Sequence, residues 1–131
     1  MKNQFTHGDV KIHTYVVTDD DFASFQSGVV HPVCSTFTLG REMEWSSRLF
    51  VLEMIEKDEE GIGTMLEIAH VGPAFEGEEL VATATFESLS GNELICQIAV
   101  SAAGRPVATG RTGQKILKKD KINQIFTRLE K

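Results

Sequence analysis

The sequence has few cysteines and no long apolar run, and both absences exclude classes of protein. Cys34 and Cys96 lie far apart and neither belongs to a CxxC pair, which is too little cysteine for a disulfide framework or a zinc site. We therefore expect two reduced thiols. No stretch approaches the roughly 20 apolar residues of a membrane helix, and the N-terminal segment lacks the apolar core of a signal peptide. The expected location is cytoplasmic, with no membrane partner.

Basic residues are scarce in most of the chain. Residues 1–104 hold five Lys and Arg against 17 Asp and Glu, a net charge of −12, whereas residues 105–131 carry +6. An acidic body argues against nucleic acid as a partner. The basic end either complements the acidic body or binds phosphate groups, for which the candidates are Arg105, Arg111, Lys115 and Lys118.

Length and hydrophobic patterning predict one α+β domain over residues 1–131. The 131 residues are 41% hydrophobic, which suits one globular core and argues against disorder. Apolar periodicity predicts one long helix and several long strands joined by short turns, an arrangement typical of a helix over an antiparallel sheet. The predicted elements are a strand at 9–17, an irregular segment at 18–35, a helix at 36–57, strands near 61–72, 78–89, 92–103 and 106–117, and an amphipathic helix at 118–131, with the core at about 9–117.

Glu44 is the one charge that breaks the pattern of the long helix. At 100° per residue it projects onto the apolar arc, whereas Glu42, Glu53 and Glu56 project toward solvent. A carboxylate on an apolar arc needs a partner or acquires a raised pKa. Either it pairs along the helix with Arg41 or Arg48, or it is a functional acid or base. The predicted apolar arc comprises Phe37, Leu39, Gly40, Met43, Phe50, Val51, Met54 and Ile55, and Ser46 joins the polar side.

Two other polar residues allow a structural and a functional interpretation. Thr36 opens the helix, where Ser35 or Thr36 caps its first turn or Thr36 faces a reacting group beside the helix dipole. His70 lies on a strand whose alternation places Thr64, Leu66 and Ile68 on the same, inward face. An inward histidine is either a hydrogen-bonded core residue or a catalytic one. The other histidines show no metal-ligand spacing with it.

The segments His31–Thr36, Met43-Glu44-Trp45 and Gly63–His70 together resemble the hot-dog-fold thioesterases related to fluoroacetyl-CoA thioesterase. That family has a threonine at the start of the long helix, a glutamate eight residues later and a histidine 26 residues after the glutamate, and Thr36, Glu44 and His70 stand at those separations. The resemblance implies a long central helix wrapped by a curved antiparallel sheet of about five strands. It also implies hydrolysis of a small or medium acyl-CoA by these three residues at a homodimer interface, with no cofactor beyond the CoA of the substrate and no metal. In that reaction Glu44 either activates water or attacks the thioester itself, Thr36 either orients the substrate or water or is the nucleophile, and His70 polarises the carbonyl and protonates the thiolate.

The resemblance also suggests substrate-binding residues. These are Phe22, Phe25, Val30, Gly63 and Arg111. Val30 and Ser27 stand where the fluoroacetyl-specific member has lid phenylalanines, so fluoroacetyl selectivity is not implied. The last strand reads Gly110-Arg111-Thr112-Gly113-Gln114 where the family often has Gly-Thr-His-Glu-Arg.

Two alternatives to hydrolysis remain. A non-catalytic module of the same fold would bind acyl-CoA as a sensor or scaffold, but such a binder has no need of the threonine, glutamate and histidine together. A hydratase of the same fold is disfavoured, because no Asp-x-Asn-Pro-like signature follows the helix.

Overall fold

The computed structural model describes residues 1–130, which form seven strands and two α-helices. Five long strands make one sheet, and two short strands make a separate hairpin. The elements are β1 (Val10–Val16), β2 (Phe22–Phe25), β3 (Gly28–Cys34), α1 (Thr36–Met54), β4 (Glu59–His70), β5 (Glu79–Ser90), β6 (Glu93–Ala102), β7 (Arg105–Lys118) and α2 (Lys119–Leu129).

The large sheet has the strand order β1-β5-β6-β7-β4, and every neighbouring pair is antiparallel. Tight turns join β5 to β6 at Gly91 and β6 to β7 at Ala103-Gly104, where all three residues have positive φ. The remaining strands, β1 and β4, form the two edges of the sheet. The α+β prediction, with an antiparallel sheet of five strands against one long helix, is confirmed.

The core lies between one face of the sheet and α1. Alternate residues of β5 and β6 point inward, as expected for a sheet with one buried face. Alanines at Ala82 and Ala84 let the helix approach the middle of the sheet closely, while larger side chains fill its ends. The largest apolar side chains that are less than 2% exposed are Phe50, Leu39, Met43, Met54, Leu80, Leu94, Val17, Val51 and Val107.

The segment predicted to be irregular is ordered. Asp19–Asp21 form a single 3₁₀ turn, and β2 and β3 then pair as a hairpin with shifts in register. Most hairpin side chains are exposed on both faces, so the polar alternation that marks a half-buried strand is missing. The long helix also ends at Met54, three residues before its predicted end.

The buried face of α1 is rotated from the predicted one. Glu42 and Ser46 are buried although both were predicted on the polar side, and Phe37 is 81% exposed although it was predicted on the apolar side. Two partners explain the burial of Glu42: His13 of β1 lies 2.8 Å from one of its carboxylate oxygens, and Arg41, its neighbour on α1, lies 2.6 Å from the other. A buried charge is tolerated when it is paired in this way.

A β-bulge in β4 corrects a second prediction. The pairing with β7 shifts between Gly63 and Met65, so the extra residue Thr64 points away from α1 and donates a hydrogen bond to Glu93 of β6. Thr64 therefore does not share the face of His70. Leu66 and His70 do face the helix, as predicted.

Part of the basic end of the chain is paired with the acidic body. Arg105 contacts Glu78, and Lys118 contacts Asp58. Helix α2 begins at Lys119 and packs mainly through Ile122; the predicted helix also included Lys131, which lies outside the described residues. None of the helices formed by residues 1–130 is long and apolar enough to cross a membrane.

Candidate active site

Thr36 occupies the first helical position of α1, and its hydroxyl is not used to cap the helix. The cap is Ser35, whose side chain accepts a hydrogen bond from the backbone of Thr38. The Thr36 Oγ1 atom instead lies 2.9 Å from Nδ1 of His70. The structure therefore excludes the capping interpretation of Thr36, and a hydroxyl at hydrogen-bond distance from an imidazole is able to act as a nucleophile.

His70 reaches Thr36 from the end of β4. It is the last residue of that strand and pairs with Ala108 of β7, so the sheet holds its backbone while its imidazole extends toward the start of α1. Both His70 and Thr36 are exposed in the single chain. The pair therefore lies on the surface and not in the core, contrary to the structural interpretation of His70.

Glu44 is not paired along its helix. Arg41 contacts Glu42, and Arg48 contacts Glu60 of β4, so the two predicted partners are taken. The carboxylate of Glu44 lies against Gly63 of β4: a Cβ atom at Gly63 would be 2.6 Å from Oε1. Within residues 1–130 this carboxylate takes part in no ion pair.

Thr36 and Glu44 line one cavity of about 440 Å³ between α1 and β4. Most of its remaining lining is apolar, which strengthens electrostatic interactions inside it once water is excluded. The complete lining is Thr36, Phe37, Gly40, Arg41, Glu44, Leu66 and Ile68. His70 contacts Thr36 at the end of this cavity, so the predicted threonine, glutamate and histidine belong to one site.

A second cavity of about 330 Å³ adjoins Thr36 on the side of the hairpin. Its aromatic lining includes Phe22 and Phe25 of β2 and Phe37 of α1. Val30 of β3 is exposed and does not line it. Of the predicted substrate-binding residues, Phe22, Phe25 and Gly63 thus lie beside the three candidate catalytic residues.

The first turn of α1 also offers backbone donors. The N–H groups of Thr38 and Leu39 are used by Ser35, as side-chain and backbone bonds respectively. Those of Thr36 and Phe37 have no partner within residues 1–130, as expected for the first residues of a helix. Two free N–H groups at the positive end of a helix dipole can stabilise an oxyanion.

Comparisons with known proteins agree with this geometry. A sequence profile described as fluoroacetyl-CoA-specific thioesterase matches residues 17–120. The chain belongs to this thioesterase family.

Solved structures support the assignment to the family and the fold. A Thermus thermophilus thioesterase superfamily member is 32% identical, with a TM-score of 0.92 over 95% of this chain and 93% of that one. A mutant of a fluoroacetyl-CoA-specific thioesterase is 19% identical, with a TM-score of 0.88 over 97% and 98%. A hot-dog-like protein from Thermanaerovibrio acidaminovorans is 18% identical, with a TM-score of 0.85 over 95% and 93%. The hot-dog fold is thereby confirmed. A search of curated proteins found no match.

One of the predicted substrate-binding residues, Arg111, lies far from the candidate catalytic residues. Arg111 is on the face of the sheet that points away from α1, where it contacts Glu87 at 2.8 Å and pairs in register with Gln97. Its partner Glu87 holds the pKa of Arg111 above the usual value through a hydrogen bond, and the pKa of Glu87 is lowered by the same contact. The structure thus does not bring Arg111 to the site within one chain.

Sequence reasoning missed a polar cluster next to the site. Asp21 is 4% exposed, and its carboxylate contacts Tyr15, Thr18 and Arg41. The sequence does contain a signal for this cluster, because Thr18 stands three residues before Asp21, which is a capping pattern. The signal was ambiguous, since an acidic run is equally typical of a solvated turn. Within the described residues, no group of three or more His, Cys, Asp or Glu side chains is arranged to hold a metal ion.

Proposed function

We propose that the protein hydrolyses a small or medium acyl-CoA thioester to the free acid and CoA. The reaction uses Thr36, Glu44 and His70 at a site that a second copy of the chain completes. The observation that carries the proposal is the 2.9 Å contact between Thr36 Oγ1 and His70 Nδ1, beside the cavity that Glu44 also lines. Membership of a thioesterase family supports the same reaction.

The proposed chemistry assigns one role to each residue. Thr36 Oγ1 attacks the thioester carbon, and His70 accepts its proton and returns it to the departing thiolate sulfur. The free N–H groups of the first helical turn stabilise the oxyanion. Glu44 then activates the water that hydrolyses the acyl ester and regenerates the Thr36 hydroxyl.

The acyl group occupies the apolar space around Thr36. Phe22, Phe25 and Phe37 line the cavity on one side of the hydroxyl, and Leu66 and Ile68 line the cavity on the other. Aromatic and branched walls favour an uncharged acyl group, because burying a charge there without a partner is costly.

A homodimer closes the site. Phe37, Trp45 and Leu52 are exposed along the outer face of α1, and Leu66 is exposed at the edge of the sheet. Large apolar side chains that remain exposed beside a cavity are typical of an interaction surface. Covering these side chains with a second copy excludes bulk water from the cavity, which strengthens the electrostatic stabilisation of the oxyanion inside it.

The test is turnover of a panel of acyl-CoAs, followed by release of free thiol. We expect Thr36→Ala, His70→Ala and Glu44→Gln each to lower kcat by about 10²- to 10⁴-fold. Thr109→Ala, which removes an exposed hydroxyl from the opposite face of the sheet, is the matched control and should leave kcat unchanged. Acyl transfer to Thr36 should also be visible by mass spectrometry in the Glu44→Gln variant.

Two results would overturn the proposal. Full turnover by Thr36→Ala would remove the assigned nucleophile. Binding of acyl-CoA by calorimetry without turnover of short, branched or aromatic acyl groups would instead identify a non-catalytic acyl-CoA-binding module.

A further inference from the structure

The third residue of the acidic run Asp19-Asp20-Asp21 differs from the other two. Asp19 and Asp20 are exposed, whereas Asp21 is buried. Its carboxylate accepts hydrogen bonds from the hydroxyl of Tyr15 at 2.8 Å, from the backbone N–H of Thr18 at 2.8 Å and from the Thr18 hydroxyl at 3.1 Å. A buried carboxylate persists only with such a set of donors, so this is an organised site and not a solvated turn.

The same residue contacts the start of α1 through its backbone. The carbonyl of Asp21 accepts a hydrogen bond of 2.7 Å from the N–H of Ser35. Ser35 is the helix cap, and its hydroxyl oxygen accepts from the backbone of Thr38 at 3.0 Å. Asp21 thereby fixes the residue immediately before Thr36.

The carboxylate reaches the residues that follow Thr36 as well. The Thr38 hydroxyl lies 3.5 Å from one oxygen of Asp21, and the guanidinium of Arg41 lies 3.6 Å from the same oxygen. Helix α1 has no acidic residue in its own first turn. Asp21 therefore supplies the negative charge that stabilises a helix N-terminus, and it does so from another element.

These contacts bracket Thr36 on both sides. Asp21 holds Ser35 before it and Thr38 after it, so it determines how the first turn of α1 is rotated about the helix axis. That rotation sets the position of Thr36 Oγ1, which must lie within hydrogen-bond distance of His70 for proton transfer. Tyr15 of β1 links Asp21 in turn to the sheet that carries His70, and Thr18 holds it two residues after the end of that strand.

We propose that Asp21 is a positioning residue for the thioesterase reaction, and that it holds the first turn of α1 so that Thr36 meets His70. This rests on the proposed function, in which Thr36 reacts. Asp21 does not touch the substrate. It acts through Ser35 and Thr38.

The first experiment separates positioning from binding. Asp21→Asn keeps the size of the side chain but replaces one acceptor oxygen with a donor, which then faces N–H or O–H donors. We expect kcat to fall about 10- to 100-fold, since a displacement of about 1 Å can cost 100-fold, while KM changes less than about twofold. Asp19→Asn removes an equal charge from the same turn without these contacts, and should leave both constants unchanged.

The second experiment does not depend on turnover. The ring ¹⁵N signals of His70, assigned with His70→Ala, report the contact with Thr36 in the folded protein. We expect Asp21→Asn to shift them toward the positions seen in Thr36→Ala, and Asp19→Asn to leave them in place. Tyr15→Phe, which removes one donor to Asp21 and keeps its charge, should give a smaller shift and a smaller loss of kcat, and serves if Asp21→Asn does not fold.

The outcomes of the two experiments are distinguishable. If the wild-type protein releases no thiol from any acyl-CoA, the proposed function fails while the ring signals still test the role of Asp21. If Asp21→Asn and Tyr15→Phe fold and leave the His70 signals and kcat at wild-type values, Asp21 is not a positioning residue. A loss confined to KM would overturn the proposal equally.

Discussion

Gly63 offers a sharp test of the role of Glu44, because the glycine lacks the one atom that would collide with the carboxylate. A Cβ atom at this position would lie 2.6 Å from Oε1 and 3.4 Å from Cδ of Glu44. The φ angle of Gly63 lies outside the left-handed region, so alanine meets no backbone strain there. Gly63→Ala therefore acts through the space that it fills.

The size of the effect follows from that distance. Ordinary contacts of a Cβ atom begin near 3.4 Å, so the carboxylate must move by about 0.8 Å. A misplacement of about 1 Å costs up to about 100-fold in rate, which corresponds to about 2.7 kcal/mol of transition-state stabilisation. The free energy of unfolding should change by less than about 1 kcal/mol, because the displaced atoms belong to the end of a flexible side chain and alanine is less flexible than glycine in the unfolded chain.

The assay is a double-mutant cycle on kcat for thiol release, with urea unfolding as the check on folding. Gly63→Ala should lower kcat about 100-fold in the wild-type background. In a Glu44→Ala background the same substitution should cause almost no further loss of kcat, because the carboxylate atoms that the new methyl group would displace are absent. Equal losses in both backgrounds would refute the reasoning, since Gly63 would then act on the substrate or the strand and not on Glu44.

Three further predictions concern residues outside the reacting groups. Burial raises the pKa of the Cys34 and Cys96 thiols to about 12, so neither should react with a disulfide reagent at pH 8 until urea unfolds the chain; rapid labelling of the native protein would contradict this. Burial opposes ionisation of Asp21, but hydrogen bonds led by the Thr18 backbone outweigh it and lower its pKa. The unfolded chain therefore binds this proton more readily, so the stabilisation is complete above about pH 5 and declines as the pH falls through the folded pKa. Urea unfolding from about pH 5 to about 2.5 should show the stability gap between wild type and Asp21→Asn narrowing, and a constant gap would contradict it. Arg111→Gln should leave KM for acyl-CoA within about twofold and change stability little, because its ion pair with Glu87 is exposed to solvent, whereas a large rise in KM would place a phosphate of CoA at Arg111.

Long elements and the spacing of the site were predictable because both depend on local periodicity. The strand, helix and four long strands follow from alternation and helical repeat, and these place Thr36 at the start of α1 and His70 at the end of β4. Their meeting also requires that β4 pairs with β7 along its whole length. The resemblance to the family predicted that Thr36 and His70 meet, whereas periodicity alone did not predict it.

The burial of side chains on α1 was predicted less well, because a helical wheel takes no account of partners on other elements that allow a charged side chain to be buried. Glu42 is buried because β1, which is 29 residues earlier in the chain, brings His13 to it. Glu44 has no such partner and is exposed beside the cavity. The two glutamates are two residues apart, and which of them faces the core depends on contacts that only the tertiary structure supplies.

Local irregularities were the other source of error. The bulge in β4 turns the Thr64 side chain away from α1 and allows Gly63 to face it. Gly61 and Gly63 are typical of a bulge or a close approach within a strand, but they do not specify at which residue the register shifts. The β2–β3 hairpin escaped prediction because its side chains are exposed on both faces. Both features border the site, where close approach to other groups matters more than regular pairing.

The part of β7 that differs from the family motif has a structural role next to Glu44. Gln114 stands where the family motif often ends in arginine, and its side chain is 2% exposed between β7 and α1. Its amide donates to the hydroxyl of Ser47 at 2.9 Å and lies 3.4 Å from the backbone carbonyl of Glu44. A neutral amide suits this buried place, because a guanidinium would need a carboxylate partner there and Glu44 is the nearest carboxylate along this helix to Ser47. Gln114 thus fixes the helix to the sheet without placing a charge beside Glu44, the residue to which the proposed reaction assigns the activation of water.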